Sequence, residues 1–436
     1  MDPKEKIQPN GSRSVQSNLA LNAIRKKLVG KTLSYKEIYA VMDEISKKKL
    51  GGVLTAYFAA SGYSKGFSDE ELYFLTKAMV ETGEQLHFAG IVADKHSIGG
   101  IPGTRTTLII VPIIAAAGFT IPKSSSRAIT TPGGTADDME VLCGVEFTKH
   151  QILEIVKKTN GCIVWGGSFN IAPADDLIIQ VEEPLLFESY DKIVVSIMAK
   201  KIAFGSNHVV IDIPYGETAK LHRVKDAEVL KEKFEYLAGK FSIKIKCLIH
   251  KTDEPFGRGI GPILETREAL RVLQQKPNRP LDLENKSLTL AGTLLDICLK
   301  DSSEKLQKEV KEKYGNGLGW ATHLLETGQG AKKMQQIITA QGGKSHIDSE
   351  DLKPGRHSVS FTASDSRIIK KVNIQNITVL TKILGAPREK SAGIYLHKKI
   401  GEEIKRGDIL CTLYSDNLYN LKEAKSSYRH FPIFTR

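Results

Sequence analysis

A chain of 436 residues is longer than one ordinary core, and its apolar share of 41% and charged share of 26% are those of a soluble globular protein. Lys and Arg outnumber Asp and Glu by 62 to 50, a net charge of +12 that suits an anionic partner such as phosphate, a nucleotide or a nucleic acid. The five cysteines are scattered without a CxxC pair, so neither a disulfide framework nor a zinc site is indicated, and a reducing cytoplasm fits.

The opening "MDPKEKIQPNGSRS" lacks the apolar core of a signal peptide and reads as a disordered tail over 1–13. Helical patterning follows over 14–85. "NLALNAIRKKLVG" stops at a glycine, "SYKEIYAVMDEISKKKLGG" opens on an N-cap at Ser34 and stops at Gly51-Gly52, and "SDEELYFLTKAMVETGEQL" opens on Ser68 with acidic residues in its first turn. Three short helices in sequence predict a helical lobe, completed by 172–203.

The texture then changes. "AGIVADKHS" is a strand feeding a glycine-rich turn. "LIIVPIIAAAGF" (Leu108–Phe119) is a buried helix or strand, too short for the ~20 residues of a membrane span. A short strand, a serine-rich loop, a Gly-Gly turn and a helix near Thr135 come next. "GCIVWGG", "HVVIDIP" and "FSIKIKCLI" are strand candidates, with helical material around Tyr190–Ala203 and in "ETREALRVLQQ". Strands alternating with helices predict a mixed α/β domain over 86–171 and 204–344 with a largely parallel sheet, its functional loops at the carboxyl ends of the strands. Beyond Ser345 the chain turns strand-rich, predicting a β-rich, barrel-like C-terminal α/β domain over 345–436. Within it "GEEIKRGDILCTL" has the look of a hairpin from a biotinyl- or lipoyl-type barrel without a carrier lysine.

The chemistry concentrates in "DKHSIGGIPGTRTT". Lys95 is a point charge, Ser97, Thr106 and Thr107 are hydroxyl donors, and Gly99, Gly100 and Gly103 let the backbone approach an anion. The spacing is not that of a Walker A loop. The stretch is either half of an anion site or a serine- and glycine-rich turn carrying a core histidine. "PKSSSRAITTPGGT" adds a second donor-rich loop after a second strand. Ser196 and Lys200 stand four apart and share a helix face, either as a site pair or as a solvated surface. "FGRGIGPILE" lacks the GxGxxG spacing of a dinucleotide loop, and no His/Asp/Glu cluster has metal spacing.

Taken together, "DKHSIGG", "SSRAITTPGGTADDMEVL", "GCIVWGGSFNIAPADD", "SIMAKK", "GRGIGPILETREAL" and "LAGTLLDIC" occur in the order of the thymidine/pyrimidine-nucleoside phosphorylases. The chain resembles that family over roughly 20–420, most closely the branch of archaeal AMP phosphorylases and thymidine phosphorylases of that type. The resemblance implies a helical lobe, an α/β lobe and a C-terminal α/β domain, a homodimer through the helical lobe, and substrate held between lobes. It implies a pentosyltransferase of nucleoside salvage with inorganic phosphate as co-substrate, no metal or organic cofactor, no nucleic acid or membrane partner, and a cytoplasmic location. Carried over by motif, phosphate binding falls to Lys95, Ser97, Gly100, Thr107, Ser125 and Thr135. Nucleoside or nucleotide contacts fall to Ser126, Arg127, Ala128, Ile129, Thr130, Thr131, Ser196, Lys200 and Lys220. Catalytic roles fall to His96, Lys200 and Glu188. Glu188 stands where the family's proton donor is an aspartate, and Gln180 stands in a region where simple thymidine phosphorylases carry an arginine.

The expected reaction is phosphate-dependent cleavage of thymidine or a related pyrimidine nucleoside to free base and (deoxy)ribose 1-phosphate. The alternative is an AMP phosphorylase giving base and ribose 1,5-bisphosphate, with Arg127 and Lys220 as the basic residues for a 5′-phosphate. A phosphoribosyltransferase would need a Mg²⁺-diphosphate site, for which no motif stands out. A basic nucleic-acid-binding protein or a pseudo-enzyme on this fold is the non-enzyme alternative.

Overall fold

The computed structural model describes residues 15–128, 131–182 and 189–435, so the expected tail over 1–13 lies outside it. In chain order it runs α1 (Val15–Leu28), α2 (Tyr35–Ser46), α3 (Gly51–Lys65), α4 (Asp69–Glu81), β1 (Ala93–Ser97), α5 (Thr106–Ala116), β2 (Ile121–Ser125), α6 (Thr135–Met139), α7 (Lys149–Thr159) and β3 (Gly161–Trp165). Next come α8 (Pro173–Glu182), α9 (Tyr190–Ala203), β4 (His208–Tyr215), α10 (Val224–Lys240), β5 (Lys244–Lys251), β6 (Gly259–Ile260), α11 (Pro262–Leu273), α12 (Leu281–Leu299), α13 (Glu304–Tyr314), α14 (Gly317–Glu326) and α15 (Gln329–Ala340). The remainder is β7 (His357–Thr362), β8 (Arg367–Ile368), β9 (Lys371–Val372), α16 (Ile374–Ile383), β10 (Gly393–Leu396), β11 (Glu403–Ile404), β12 (Ile409–Ser415), α17 (Leu418–Ser427) and β13 (Phe434–Thr435).

One compact unit joins the chain up to Gln85 with Asn170–Ala203 and is helical. Its helix starts follow the sequence signals: Ser34 and Ser68 form capping boxes with Glu37 and Glu71. Glu71 also accepts from the buried Lys27 ammonium at 2.8 Å and from the Leu33 N–H at 2.9 Å, so one carboxylate ties the end of α1 to the starts of α2 and α4. The sequence reading closes a helix at Gly51-Gly52; the structure instead opens α3 there, with Gly51 at φ +75° marking the break. Packing of α3 against α1 and α8 outweighs the weak helix propensity of its glycines.

The second unit, Leu86–Phe169 with Phe204–Arg436, contains the α/β region and the C-terminal strands. β1, β4 and β5 form a parallel sheet in the order β1-β4-β5; β2 and β3 form a parallel pair, and Val92 bridges Thr120 where the two sets meet. The apolar run after the glycine-rich loop is a helix, α5, buried on every face, with Leu108, Ile109, Ile110, Val111, Ile113 and Ile114 all at 0% exposure. Its total burial fixes where its N-terminus points, at the carboxyl ends of β1 and β2.

The C-terminal sheet is antiparallel in the order β6-β10-β12-β7. The "GEEIKRGDILCTL" segment is not a hairpin: β11 pairs with β8, while β12 lies between β10 and β7. Short turns alone do not decide which strands pair; the partners come from elsewhere in the chain. β6, from the "FGRGIG" stretch, belongs to this sheet, so its glycines serve close backbone packing. A Cβ at Gly257 would sit 2.6 Å from the Gly103 carbonyl oxygen. No helix among the described residues is long and apolar enough to cross a membrane.

Because Ile113 is fully buried in α5, Ile113→Ala should lower stability by about 2–5 kcal/mol. Chemical denaturation of the purified variant measures this; a change well under 1 kcal/mol would contradict the placement of α5 at the centre of the core.

Candidate active site

Two parallel strand ends and two helix starts carry the donors. On β1, Lys95 and Ser97 are two apart and share a face. Lys95 is 2% exposed, and its ammonium donates to the Thr106 hydroxyl at 2.7 Å, at the first turn of α5. Thr107 follows, buried at 6% exposure. On β2, Ser125 ends the strand with a buried hydroxyl that has no hydrogen-bond partner among the described residues. A buried hydroxyl costs stability unless a partner satisfies it. Thr135 opens α6.

Buried charges hold the loops. Arg105 forms ion pairs with Asp138 and Glu265, and its guanidinium donates to the Gly133 carbonyl, which fixes the end of the glycine-rich loop against the start of α6 and α11. One guanidinium cannot neutralise both acids, and burial holds the carboxyls of Asp138 and Glu265 above the ordinary range. Asp137 accepts from the backbone N–H of Ala128 at 2.7 Å and of Gly134 at 3.0 Å, and from Lys390 at 2.9 Å. That carboxylate shapes the loop after β2 as a cap shapes a helix start. Gly100 sits at φ +89°, and a Cβ there would lie 2.7 Å from Cβ of Lys220. The glycine-rich loop and the loop after β4 therefore touch at that point, which brings Lys220 to the glycine-rich loop.

Some sequence candidates hold other posts. The Arg127 guanidinium donates to Glu140 at 2.8 and 3.0 Å and to Glu146 at 2.8 Å, and stacks over Trp165 at 4.9 Å. Its side chain is committed to carboxylates. The Glu140 carboxyl is held down to about 2, by the Arg127 hydrogen bonds above all. Ser126 is exposed, and Thr131 spends its hydroxyl on the Gly133 carbonyl at 2.8 Å. His96 is half-buried on β1 between Lys95 and Ser97. Ile129, Thr130 and Glu188 lie outside the described residues.

In the helical unit, Ser196 and Lys200 do share a face of α9, and both address Asp175 on α8. Ser196 donates to Asp175 Oδ2 at 2.7 Å and Lys200 Nζ lies 2.7 Å from the same oxygen. Burial works against the Lys200 ammonium, but Asp175 and Asp176 outweigh it, so its pKa lies above the ordinary lysine value. Burial pushes the Asp176 carboxyl up to about 6 against the pull of Lys200. Asp175 is 0% exposed and its Oδ1 has no partner among the described residues. The pair is therefore part of a polar, charged cluster built on a buried acid and not a solvated surface.

The sequence reading missed Asp175, although it stands in the quoted "APADD". It missed Asp212 as well, an acid inside the apolar strand "HVVIDIP" and a signal that a buried charge needs partners. Lys286 and His250 gave no sequence signal. Among the described residues no group of three or more His, Cys, Asp or Glu side chains is placed to hold a metal ion.

Comparison with known proteins covers most of the chain. The glycosyl transferase family helical bundle domain matches residues 21–83, and the a/b domain of the same family matches 89–317. The pyrimidine nucleoside phosphorylase C-terminal domain matches 368–431. The chain is 40% identical over 423 residues to the AMP phosphorylase of Methanococcus vannielii, covering 97% of this chain and 81% of that one. It is 40% identical to the AMP phosphorylase of Methanocaldococcus jannaschii over 93% of this chain and 78% of the other. A Legionella pneumophila protein provisionally named thymidine phosphorylase is 39% identical over 95% and 76%. Among solved structures, anthranilate phosphoribosyltransferase from Thermus thermophilus superposes with a TM-score of 0.59 at 16% identity, covering 73% of this chain and 99% of that one, a likeness of fold alone.

The Ser125 hydroxyl has no hydrogen-bond partner among the described residues, so Ser125→Ala should leave the melting temperature near wild type. If the hydroxyl serves a bound anion, the same change should weaken inorganic phosphate binding about tenfold or more, read by titration calorimetry. A large loss of stability with unchanged phosphate affinity would remove Ser125 from the site.

Proposed function

The chain belongs to the pyrimidine nucleoside phosphorylase family and is a pentosyltransferase-type enzyme, and from that premise we propose how its residues divide the work. Lys95, Ser97, Gly100, Thr107, Ser125 and Thr135 hold inorganic phosphate. The observation that carries this is the buried Lys95 ammonium at the end of β1, beside the first turn of α5, with the unpartnered Ser125 hydroxyl at the end of the adjoining β2. Helix N-termini and a buried lysine together form an anion site. Ser196 and Lys200, oriented by Asp175, contact the base, together with His96.

Cleavage of the N-glycosidic bond builds positive charge at C1′ and negative charge on the base. A phosphate oxygen bonds to C1′ as the C1′–N bond breaks, and the electron pair leaves on the base. A proton from Glu188, His96 or Lys200 completes the free base, and the phosphate dianion stabilises the sugar cation until the new bond forms. No metal or organic cofactor enters this scheme; phosphate is the co-substrate.

The preferred substrate in this reading is thymidine or a related pyrimidine nucleoside. Support comes from Arg127, whose guanidinium is spent on Glu140 and Glu146 instead of being offered to a 5′-phosphate. A second reading, a nucleoside 5′-monophosphate such as AMP, is favoured by Lys220 packed against Gly100 and by the names of the archaeal relatives. We also propose a homodimer through the helical unit, where Val29, Val53 and Tyr57 are exposed at 71%, 71% and 53%, and a cytoplasmic location in keeping with five free cysteines.

The deciding assay is phosphate-dependent base release from thymidine, uridine, cytidine, adenosine and their 5′-monophosphates. Release from the nucleosides supports the first reading and release confined to monophosphates the second; no release from any would overturn both. Lys95→Ala should reduce turnover by at least about a thousandfold with the fold intact, as loss of a charge aimed at the reacting phosphate implies. Lys200→Ala should raise KM for the nucleoside more than for phosphate; equal effects on both would end its base-contact role.

A further inference from the structure

Lys95 does not stand alone on its face of the sheet. Register places Ser97 opposite Asp212 on β4, and Asp212 opposite Leu248 on β5, two residues before His250. Lys95, Asp212 and His250 thus descend one face of three parallel strands, and Lys286 of α12 comes down onto that face. Asp212 is 1% exposed. Lys286 Nζ donates to Asp212 Oδ1 at 2.9 Å and to His250 Nε2 at 2.5 Å, and His250 Nδ1 lies 3.3 Å from the same carboxylate oxygen. The geometry gives a neutral His250 ring with its proton on Nδ1, facing Asp212. Phe256 closes the cluster, with Lys286 4.6 Å above its ring and His250 edge-on to it. Apart from Lys95, none of these side chains takes part in the scheme above.

Two buried lysines share one buried carboxylate. Lys286 holds the short contact, and Lys95 turns its ammonium to a neutral hydroxyl, Thr106. Were Asp212 free to close on Lys95, an incoming phosphate would have to displace a carboxylate from it. Were Asp212 absent, two ammonium groups would face each other with nothing between them. We propose that Asp212 and Lys286 are positioning residues for phosphate binding: Asp212 keeps Lys95 charged, and Lys286 occupies Asp212 so that Lys95 remains available to the phosphate. The proposal rests on the reading of Lys95 as the phosphate lysine.

The charged groups acting on Lys95 are Asp212 on β4 with His250 behind it, Lys286 on α12, Arg105 before α5 and, from the other face of its own strand, Asp94, which pairs with Lys123 of β2. Burial pushes the Lys95 ammonium down to about 8; Asp212 pulls it back up, while Lys286 and Arg105 push it further down. A lysine with a lowered value is charged below it and neutral above it, so wild-type phosphate affinity should fall as the pH rises through about 8. The two positioning residues act with opposite signs. Asp212→Asn removes the pull and should move this alkaline limb to lower pH by about one unit or more. Lys286→Met removes a repelling charge and releases Asp212 to Lys95. It should move the limb to higher pH and raise the phosphate dissociation constant several-fold at neutral pH.

The test is inorganic phosphate binding by calorimetry between pH 6 and 10 for wild type, Lys95→Ala, Asp212→Asn and Lys286→Met, with melting temperatures alongside. Opposite shifts in the two variants support the proposal. A limb that stays in place in both, or moves the same way in both, would refute it, even if both melt earlier, since a purely structural role changes stability without moving the limb. Should one variant not fold, the sign of the other decides. Wild-type phosphate binding that is absent or indifferent to Lys95→Ala would instead refute the cradle reading, and with it this proposal.

Discussion

An ammonium group held at the end of a parallel strand, almost out of contact with water, must find oxygen atoms and a counter-charge within a few ångströms or lose its proton. The α/β unit is arranged around that requirement at Lys95. The Thr106 hydroxyl supplies the hydrogen bond because α5 begins there, and α5 begins there because a wholly apolar helix has one place to go, between the strands and the helices of the core. Asp212 supplies the counter-charge because β4 pairs with β1 in the register that sets it opposite Ser97. Sheet register, helix burial and site electrostatics are one constraint seen at three scales.

Carboxylates do much of the shaping that the basic composition conceals. A net charge of +12 suggests cations waiting for an anion, yet the cations nearest the site are largely paired. Arg105 is shared by Asp138 and Glu265, Arg127 is taken by Glu140 and Glu146, and Lys390 reaches from the C-terminal sheet region to Asp137. Such pairs add little net stability, because desolvation offsets the attraction where they are buried and solvent screens it where they are exposed. What they give is definition. Asp137 fixes two backbone N–H groups of the loop after β2, and Arg105 fixes the glycine-rich loop to the same helix start.

The helical unit repeats the device on a smaller scale. Asp175 gathers the Ser196 hydroxyl and the Lys200 ammonium onto one oxygen and leaves the other without a partner among the described residues. A helix spacing of four residues puts a serine and a lysine side by side; only the acid from a different helix turns them into a cluster with fixed polarity and a raised lysine. The same holds for Glu71, whose single carboxylate caps α4 and neutralises Lys27.

Much of this was legible in the sequence. Capping residues and apolar runs located the starts of α2 and α4 and the strands β1, β3, β4 and β5, because those signals act within a few residues. The six ordered motifs identified the family, because the donors of an anion site must lie on strand ends and loops that the motifs spell out. What was not legible depends on partners distant in the chain. α3 forms over glycines because other helices bury it, and β11 pairs with β8 because the C-terminal sheet leaves β12 to β7 and β10. Arg127 looks like a phosphate ligand until Glu140 and Glu146 are seen to hold it. Asp212 announced itself only as an acid in an apolar strand; that Lys286, 74 positions away, would seize it could not be read from either residue. Local chemistry is written in neighbouring letters, whereas the neutralisation of a buried charge is settled by whichever opposite charge the fold carries to it.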